Sequence, residues 1–373
     1  MSGRTRPFVH FTVVLLALLI IVPPVAFGQE GEEQPDLTIN ETTRNEVLEG
    51  VLKALNEAYV FPETAKKMEQ SIRDRMAKNE YGSVASAKEF ARKLTNDLQA
   101  VSKDKHLRVS YSFEARPKPP ENEGPPSPEE RARFLKFARS VNFGFEKIER
   151  LEGNVGYLDL RSFMGTELAG ETAVAAMNFL SNSDALIIDL RQNGGGDPAQ
   201  VALISTYLFD SDPVHLNSLY WRPGNFTHQW WTLPYVPGTR FGREKDVYVL
   251  TSNRTFSAAE EFTYNLQNLK RATIVGETTG GGAHPGGGRW INEHFGVWLP
   301  TGRAINPVSG TNWEGTGVKP DIAVPKEQAL KTAHTEALKK LVGKATDEKD
   351  KERLKRTLSK IEKELEGVKT AAK

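Results

Sequence analysis

The feature that most restricts how this chain can fold is a series of short, continuously apolar runs, each ending in a polar or glycine-rich turn and followed by a helical pattern. ALIIDLR and VYVLTS are the clearest. A strand with one covered face alternates apolar and polar residues, whereas a strand apolar throughout needs helices on both sides. NVGYLDL, GETAVAAMNFL, ALIIDLR, PAQVALISTYLF, DVYVLTS, SAAEEFTYNLQNL and ATIVGE follow one another in strand–helix alternation. That order predicts an α/β core of βαβ units with right-handed crossovers, occupying residues 129–325.

The chain before this core reads differently. From Asn40, apolar residues recur at Val47, Leu48, Val51, Leu52, Leu55 and Tyr59, the spacing of one helix face. FPETAKKMEQSIRDRMAKN, opened by Pro62, and SVASAKEFARKLTNDLQAVS, with Ser86 three residues before Glu89, predict two more helices. Residues 40–114 therefore read as a small three-helix domain that ends in the strand HLRVSYS, and the proline-rich 115–128 as a linker. Beyond the core, RWINEHFGVWLP reads as a hairpin and 326–373 as a charged helical tail whose i, i+4 pairs suit a solvated surface helix.

At the other end, Arg4 and Arg6 precede an apolar run, two prolines and Ala26-Phe27-Gly28. This is the order of a signal peptide cut near Gly28, so that 1–28 is a leader, 29–39 a flexible N-terminus and the mature protein periplasmic or secreted. The alternative is an N-terminal membrane anchor, since Phe8 to Phe27 nearly suffices to span a bilayer. No later segment is long and apolar enough, so no stable membrane span is expected after processing. The chain has no cysteine, which removes disulfides and a thiol nucleophile. Its 49 basic and 48 acidic residues leave no field for nucleic acid.

In VYVLTSNRTFSAAEEF a buried strand ends in a polar turn and Ser257 opens a helix. There a hydroxyl is exposed at the sheet's carboxyl edge, and the helix N-terminus favours developing negative charge, as a nucleophile requires. Ser257-Ala-Ala-Glu260 is also a capping box, and a serine in one need only satisfy backbone amides. DLRQNGGGDPAQ is a second such turn, whose glycines let backbone amides approach a ligand; it lacks the lysine and spacing of a phosphate loop. For a base, His106, His215, His228, His284 and His294 are the candidates outside leader and tail. His106, in SKDKHLRVS, lies at a helix-to-strand junction, and His284, in GGGAHPGGG, competes with it. No H-E-x-x-H motif or cysteine set exists, so neither metal nor cofactor is expected. The aromatic segment SLYWRPGNFTHQWWTLPYVPG fits the wall of an apolar pocket, a cover over the site, or plain packing on the core. Its Trp230 and Trp231, with His284, are candidate substrate-binding residues.

Taken in order, DLRQNGGG, the TSNRTFSAAE turn and NWEGTGVKPDI resemble the tail-specific peptidase superfamily, which includes the tricorn core and interphotoreceptor retinoid-binding protein. The helical N-terminus resembles the retinoid-binding-protein branch most. The resemblance implies a crotonase/ClpP-like core of ββα units, Ser257 as nucleophile, and an oxyanion held by the amides of Ala258 and of Gly194 or Gly195. Tail-processing members keep a lysine base after the serine; ETTGGGAHPG has none. The tricorn-like arrangement instead implies His106 as base and Glu314 as its acidic partner, with Lys105 standing where tricorn sites carry a small hydroxyl residue and Gly315 where an asparagine is usual. The stretch between DKHLR and NFGFEKIERLEG is too short for a peptide-binding domain of roughly 80 residues. These features predict an exported serine peptidase acting on peptides. A non-catalytic carrier of an apolar ligand is the alternative that the retinoid-binding branch suggests.

Overall fold

The computed structural model describes residues 34–119 and 127–371; the leader expected at 1–28 lies outside them. Three helices come first, α1 (Glu41–Ala58), α2 (Pro62–Ala77) and α3 (Ala87–Ser102), followed by strand β1 (Arg108–Tyr111). The Asn40 and Ser86 side chains cap α1 and α3, and Pro62 sits in the first turn of α2, as the sequence predicts. Residues 36–39, expected within a flexible stretch, are instead tied down. Asp36 accepts from the Ser86 hydroxyl (2.5 Å) and the Lys88 amide (3.0 Å), and Ile39 N–H donates to Ala85 O.

The remaining elements are α4 (Pro128–Ser140), β2 (Phe145–Leu151), β3 (Val155–Leu160), α5 (Thr166–Leu180), β4 (Ala185–Asp189), α6 (Pro198–Tyr207), β5 (His215–Trp221), β6 (Phe226–Trp231), β7 (Asp246–Thr251), α7 (Ala258–Asn268), β8 (Thr273–Gly276), β9 (Gly286–Trp290), β10 (Phe295–Pro300), β11 (Gly302–Ile305), β12 (Ile322–Ala323), α8 (Lys326–Lys344) and α9 (Glu348–Ala371). Six strands form the central sheet in the order β12-β8-β7-β4-β3-β2, all parallel except the edge strand β2. β4 is buried at every position, and β7 at all but its first, because both sheet faces are covered. On one face, α5, α6 and α7 supply Met177, Val201, Ile204 and Phe262 to the main core. On the other, Ala329, Ala333 and Ala337 of α8 pack against Tyr157, Ile187, Tyr248 and Leu250. This corrects the expectation of a solvated tail: alanine at every fourth position lets α8 lie close on the sheet, and its charges ring that stripe. α9 then packs on α8 through Leu354 and Ile361.

The three N-terminal helices do not close a core among themselves. Their buried residues join those of β10, Phe295, Val297 and Leu299, in one cluster, with Phe90 edge-on to both Tyr81 and Phe295. β1 pairs with β10, Val60 N–H donates to Pro300 O, and the Arg222 guanidinium grips Tyr59 O and Asn56 O. The expected hairpin is thus β9–β10, and it serves as the clamp between the helical part and the α/β core. The loop from α3 to β1, which carries His106, is held against the carboxyl edge of the central sheet.

Candidate active site

β4 and β7 are neighbours in the sheet, so the turns that follow them lie side by side. Side chains stitch the two together: Thr255 Oγ1 donates to Leu190 O (2.8 Å), Ser252 Oγ to Arg191 O (2.5 Å), and Phe256 N–H to Asn193 O (3.1 Å). The next residue, Ser257, takes φ 55° and ψ −122°, a conformation that L side chains rarely adopt and that costs about 1–3 kcal/mol. Gly195 lies directly against it. A Cβ on Gly195 would stand 2.8 Å from the Ser257 Cβ and 3.0 Å from the Ala258 nitrogen, so only glycine fits there. Glu260 completes the clamp from the first turn of α7. Its buried carboxylate accepts from Ser257 N–H (3.0 Å), Thr279 Oγ1 (2.5 Å), Gly281 N–H (2.6 Å) and Gly282 N–H (2.8 Å), tying the glycine-rich loop 279–282 to the serine turn. Burial pushes Glu260 up to about 7 against the pull of those four hydrogen bonds.

Facing this turn is the loop after α3. Lys103, in the left-handed conformation, ends that helix, and Asp104 Oδ1 accepts the His106 N–H (3.0 Å). The His106 ring lies against Phe256, with centroids 4.6 Å apart, and a Cβ on Gly282 would be 2.7 Å from its Cε1. Its Nδ1 is buried without a partner. Burial lowers the ring to about 4, with His284 and Arg108 adding to the effect and Asp104 opposing it, so His106 is neutral at pH 7. Behind it, the buried His284 Nδ1 is 2.8 Å from Asp104 Oδ2 and 3.4 Å from Glu314 Oε2. Tyr59 OH also donates to Asp104 Oδ2, and Ala283 N–H to Glu314 Oε2. Burial and the nearby Asp104 push Glu314 up to about 7, and its Oε1 has no partner.

The model of peptidase family S41 matches residues 154–324, and the model of the N-terminal domain of Peptidase_S41 in eukaryotic IRBP matches residues 38–142. The chain belongs to peptidase family S41. Among solved structures it is similar to a candidate peptidase from Parabacteroides merdae (19% identity over 76% of this chain and 90% of that one, TM-score 0.53). It is also similar to a lipoprotein from Streptococcus agalactiae (15% identity over 79% of this chain and 96% of that one, TM-score 0.51). At these identities the likeness is one of fold: a mixed α/β core with a helical N-terminal region.

This S41 chain therefore brings Ser257, His106 and Glu314 around the 279–283 loop, although no hydrogen bond joins Ser257 to either His106 or His284. Of the two glycines expected to hold an oxyanion, Gly195 directs its amide inward to Asn193 Oδ1 (2.8 Å). The Gly194 amide has no partner among the described residues, and Ala258, first residue of α7, carries an N–H that no intrahelical carbonyl can reach. His284 is a buried partner of carboxylates rather than an exposed group. His215 stacks on Trp231, His228 lies tilted against Trp230, and His294 bonds Ser112 O. Trp231 is an exposed surface residue, whereas Trp230 packs inward on the core. Lys105 points to Gly280 O, bracing the glycine-rich loop. Among the described residues one group has donors suited to a metal ion, Asp104, His284 and Glu314, with ligand atoms within 4.8 Å of one another. Sequence reasoning missed Asp104 altogether and saw Glu260 only as a capping residue. The signal for the first was an acidic residue two places before the histidine of SKDKHLRVS.

Proposed function

We propose that this serine peptidase cleaves peptides through an acyl-enzyme on Ser257, with His106 as general base and Glu314 as the acceptor that steadies the imidazolium. The observation that carries this reading is the backbone of Ser257. A serine that served only as a helix cap would sit in the extended region, whereas this one is held in a costly conformation by Gly195 and Glu260 at the junction of a buried strand and a helix. In the proposed course, Ser257 Oγ attacks the peptide carbonyl while its proton passes to the neutral His106. The Ala258 and Gly194 amides hold the oxyanion, and His106 returns the proton to the leaving amine before water releases the acyl group. His106, whose ring adjoins Gly282, and Glu314, which accepts from Ala283 N–H, each keep one buried polar atom without a partner, Nδ1 and Oε1. The chain is read as divided into a helical N-terminal part (40–114), a linker (115–128), a core (129–325) and a helical tail. The leader read at 1–28 puts this chemistry outside the cytoplasm, periplasmic or secreted, in keeping with the lipoprotein that shares the fold.

The test is labelling of the purified protein with a fluorophosphonate and location of the adduct by mass spectrometry. An adduct on Ser257 that is lost in His106→Ala supports the mechanism. Ser257→Ala should abolish both adduct and hydrolysis while keeping its fold, and hydrolysis within tenfold of wild type in that variant would remove Ser257 from the reaction.

A further inference from the structure

The Asp104 side chain is fully buried in the turn after α3, and both of its oxygens are engaged. Oδ1 accepts the backbone N–H of His106 (3.0 Å). Oδ2 accepts from Tyr59 OH (3.1 Å) and lies 2.8 Å from His284 Nδ1. An ionised carboxylate accepts and never donates, so it serves all three groups at once and places the imidazole proton on Nδ1. The same nitrogen is 3.4 Å from Glu314 Oε2, which also accepts the Ala283 N–H (2.6 Å). One ring proton therefore faces two carboxylates.

The orientation of that ring is fixed as well. Phe61 meets His284 edge-on, with centroids 5.2 Å apart, and the imidazole is buried. Tyr59, Phe61 and Asp104 all come from the helical part, whereas His284 and Glu314 come from loops of the α/β core. With the proton on Nε2 instead, the Nδ1 lone pair would stand against an oxygen of each carboxylate. Glu314, whose Oε1 already has no partner, would then lose the ring proton that faces its Oε2.

We propose that Asp104 is a positioning residue for the reaction: it keeps the His284 proton on Nδ1 and so holds Glu314 in place for its work on His106. The proposal rests on the Ser257, His106 and Glu314 reading above. Asp104→Asn tests it with almost no change of shape. The asparagine oxygen can keep the His106 N–H, while its amide sets a donor against His284 Nδ1, which can answer only as an acceptor. In a serine triad the same exchange puts the base itself in the wrong tautomer and costs about 10⁴ in kcat. Here the altered histidine acts at one remove, through the seating of Glu314, and the expected loss is about a hundredfold in kcat with KM unchanged.

Two measurements read the outcome. The first is ring-nitrogen NMR of protein labelled with ¹⁵N-histidine, the His284 signals being assigned by their loss in His284→Gln. Wild type should carry its proton on Nδ1 and Asp104→Asn on Nε2. A wild-type proton on Nε2 alone, which needs no Asp104 variant to fold, or an unchanged ring in the variant, overturns the proposal. The second is kcat per active site, with sites counted by the final extent of fluorophosphonate labelling of Ser257. Fewer labelled sites, each turning over at the wild-type rate, would make Asp104 a residue of the fold only and also overturn it. If wild-type Ser257 takes no adduct, the reading beneath the proposal falls and Asp104 has no reaction to serve; labelling at Ser257 with either contrary result overturns the role of Asp104 alone.

Discussion

On the sheet side of the site, the polar groups around Ser257 are tied: Asn193, Thr255, Ser252 and Glu260 each bond across two or more turns. On the helical side, His106 Nδ1 and Glu314 Oε1 are buried with no partner, and His284 is shared between two carboxylates. Under the proposed mechanism the difference follows from what each side must do. A nucleophile is worth holding in one costly geometry, because the strain is met by rigid neighbours before substrate arrives. A base has to gain and lose a proton, so its acceptors are best satisfied only in the charged state.

The largest expected effect separates the two histidines. His106→Ala should lower kcat by about 10⁶, as loss of the base does in a comparable triad. His284→Ala should cost less, about tenfold to a hundredfold, because His284 acts by holding Asp104 and Glu314 in place. The reverse ranking would hand the base to His284. An NMR titration sharpens the point. With the ring shielded from water, the His106 midpoint is expected near 4, so that it stays neutral from pH 7 down to about 5; a midpoint near the ordinary 6.5 would mean that the ring is open to solvent.

The next effect tests how the helical side is delivered. Phe90 is fully buried between Tyr81 and Phe295, where the N-terminal helices meet β10. Phe90→Ala should cost about 3–5 kcal/mol in urea unfolding. If the helices and the α/β core are one cooperative unit, a single transition moves to lower urea. If activity vanishes at a urea concentration where the core remains folded, the His106 loop has detached first, and the helical part is the weaker half of the site.

The same contrast governs what could be read from the residues alone. The strands, the serine turn and the three helices were legible because each depends on local periodicity or a local cap: ALIID and VYVL are buried as their composition requires, and Asn40 and Ser86 cap as expected. The assembly of the helical side was not. Asp104 and His284 are 180 positions apart, and nothing near either one shows that they meet. Nor does NGGG reveal that the Gly195 amide turns inward to Asn193, leaving Gly194. α8 misled for a related reason, since its lysines and glutamates mask a stripe of three alanines that becomes meaningful only against a sheet.

The smallest effect measures the strain on the sheet side directly. Glycine adopts φ near 55° with ψ near −122° at little steric cost, whereas alanine meets the same obstruction as serine. Ser257→Gly should therefore relieve about 1–3 kcal/mol in the folded state and lose about 0.5–1 kcal/mol to the freer unfolded chain. The expected outcome is a dead enzyme that is about 1 kcal/mol more stable than Ser257→Ala, read as a shift in urea midpoint at unchanged m-value. Comparison with Ser257→Ala removes the hydroxyl from the difference and leaves the backbone. If Ser257→Gly is instead the less stable of the two, Gly195 and Glu260 hold no strained nucleophile. The turn would then be an ordinary helix cap, and the two sides of the site would differ only in how completely they are hydrogen-bonded.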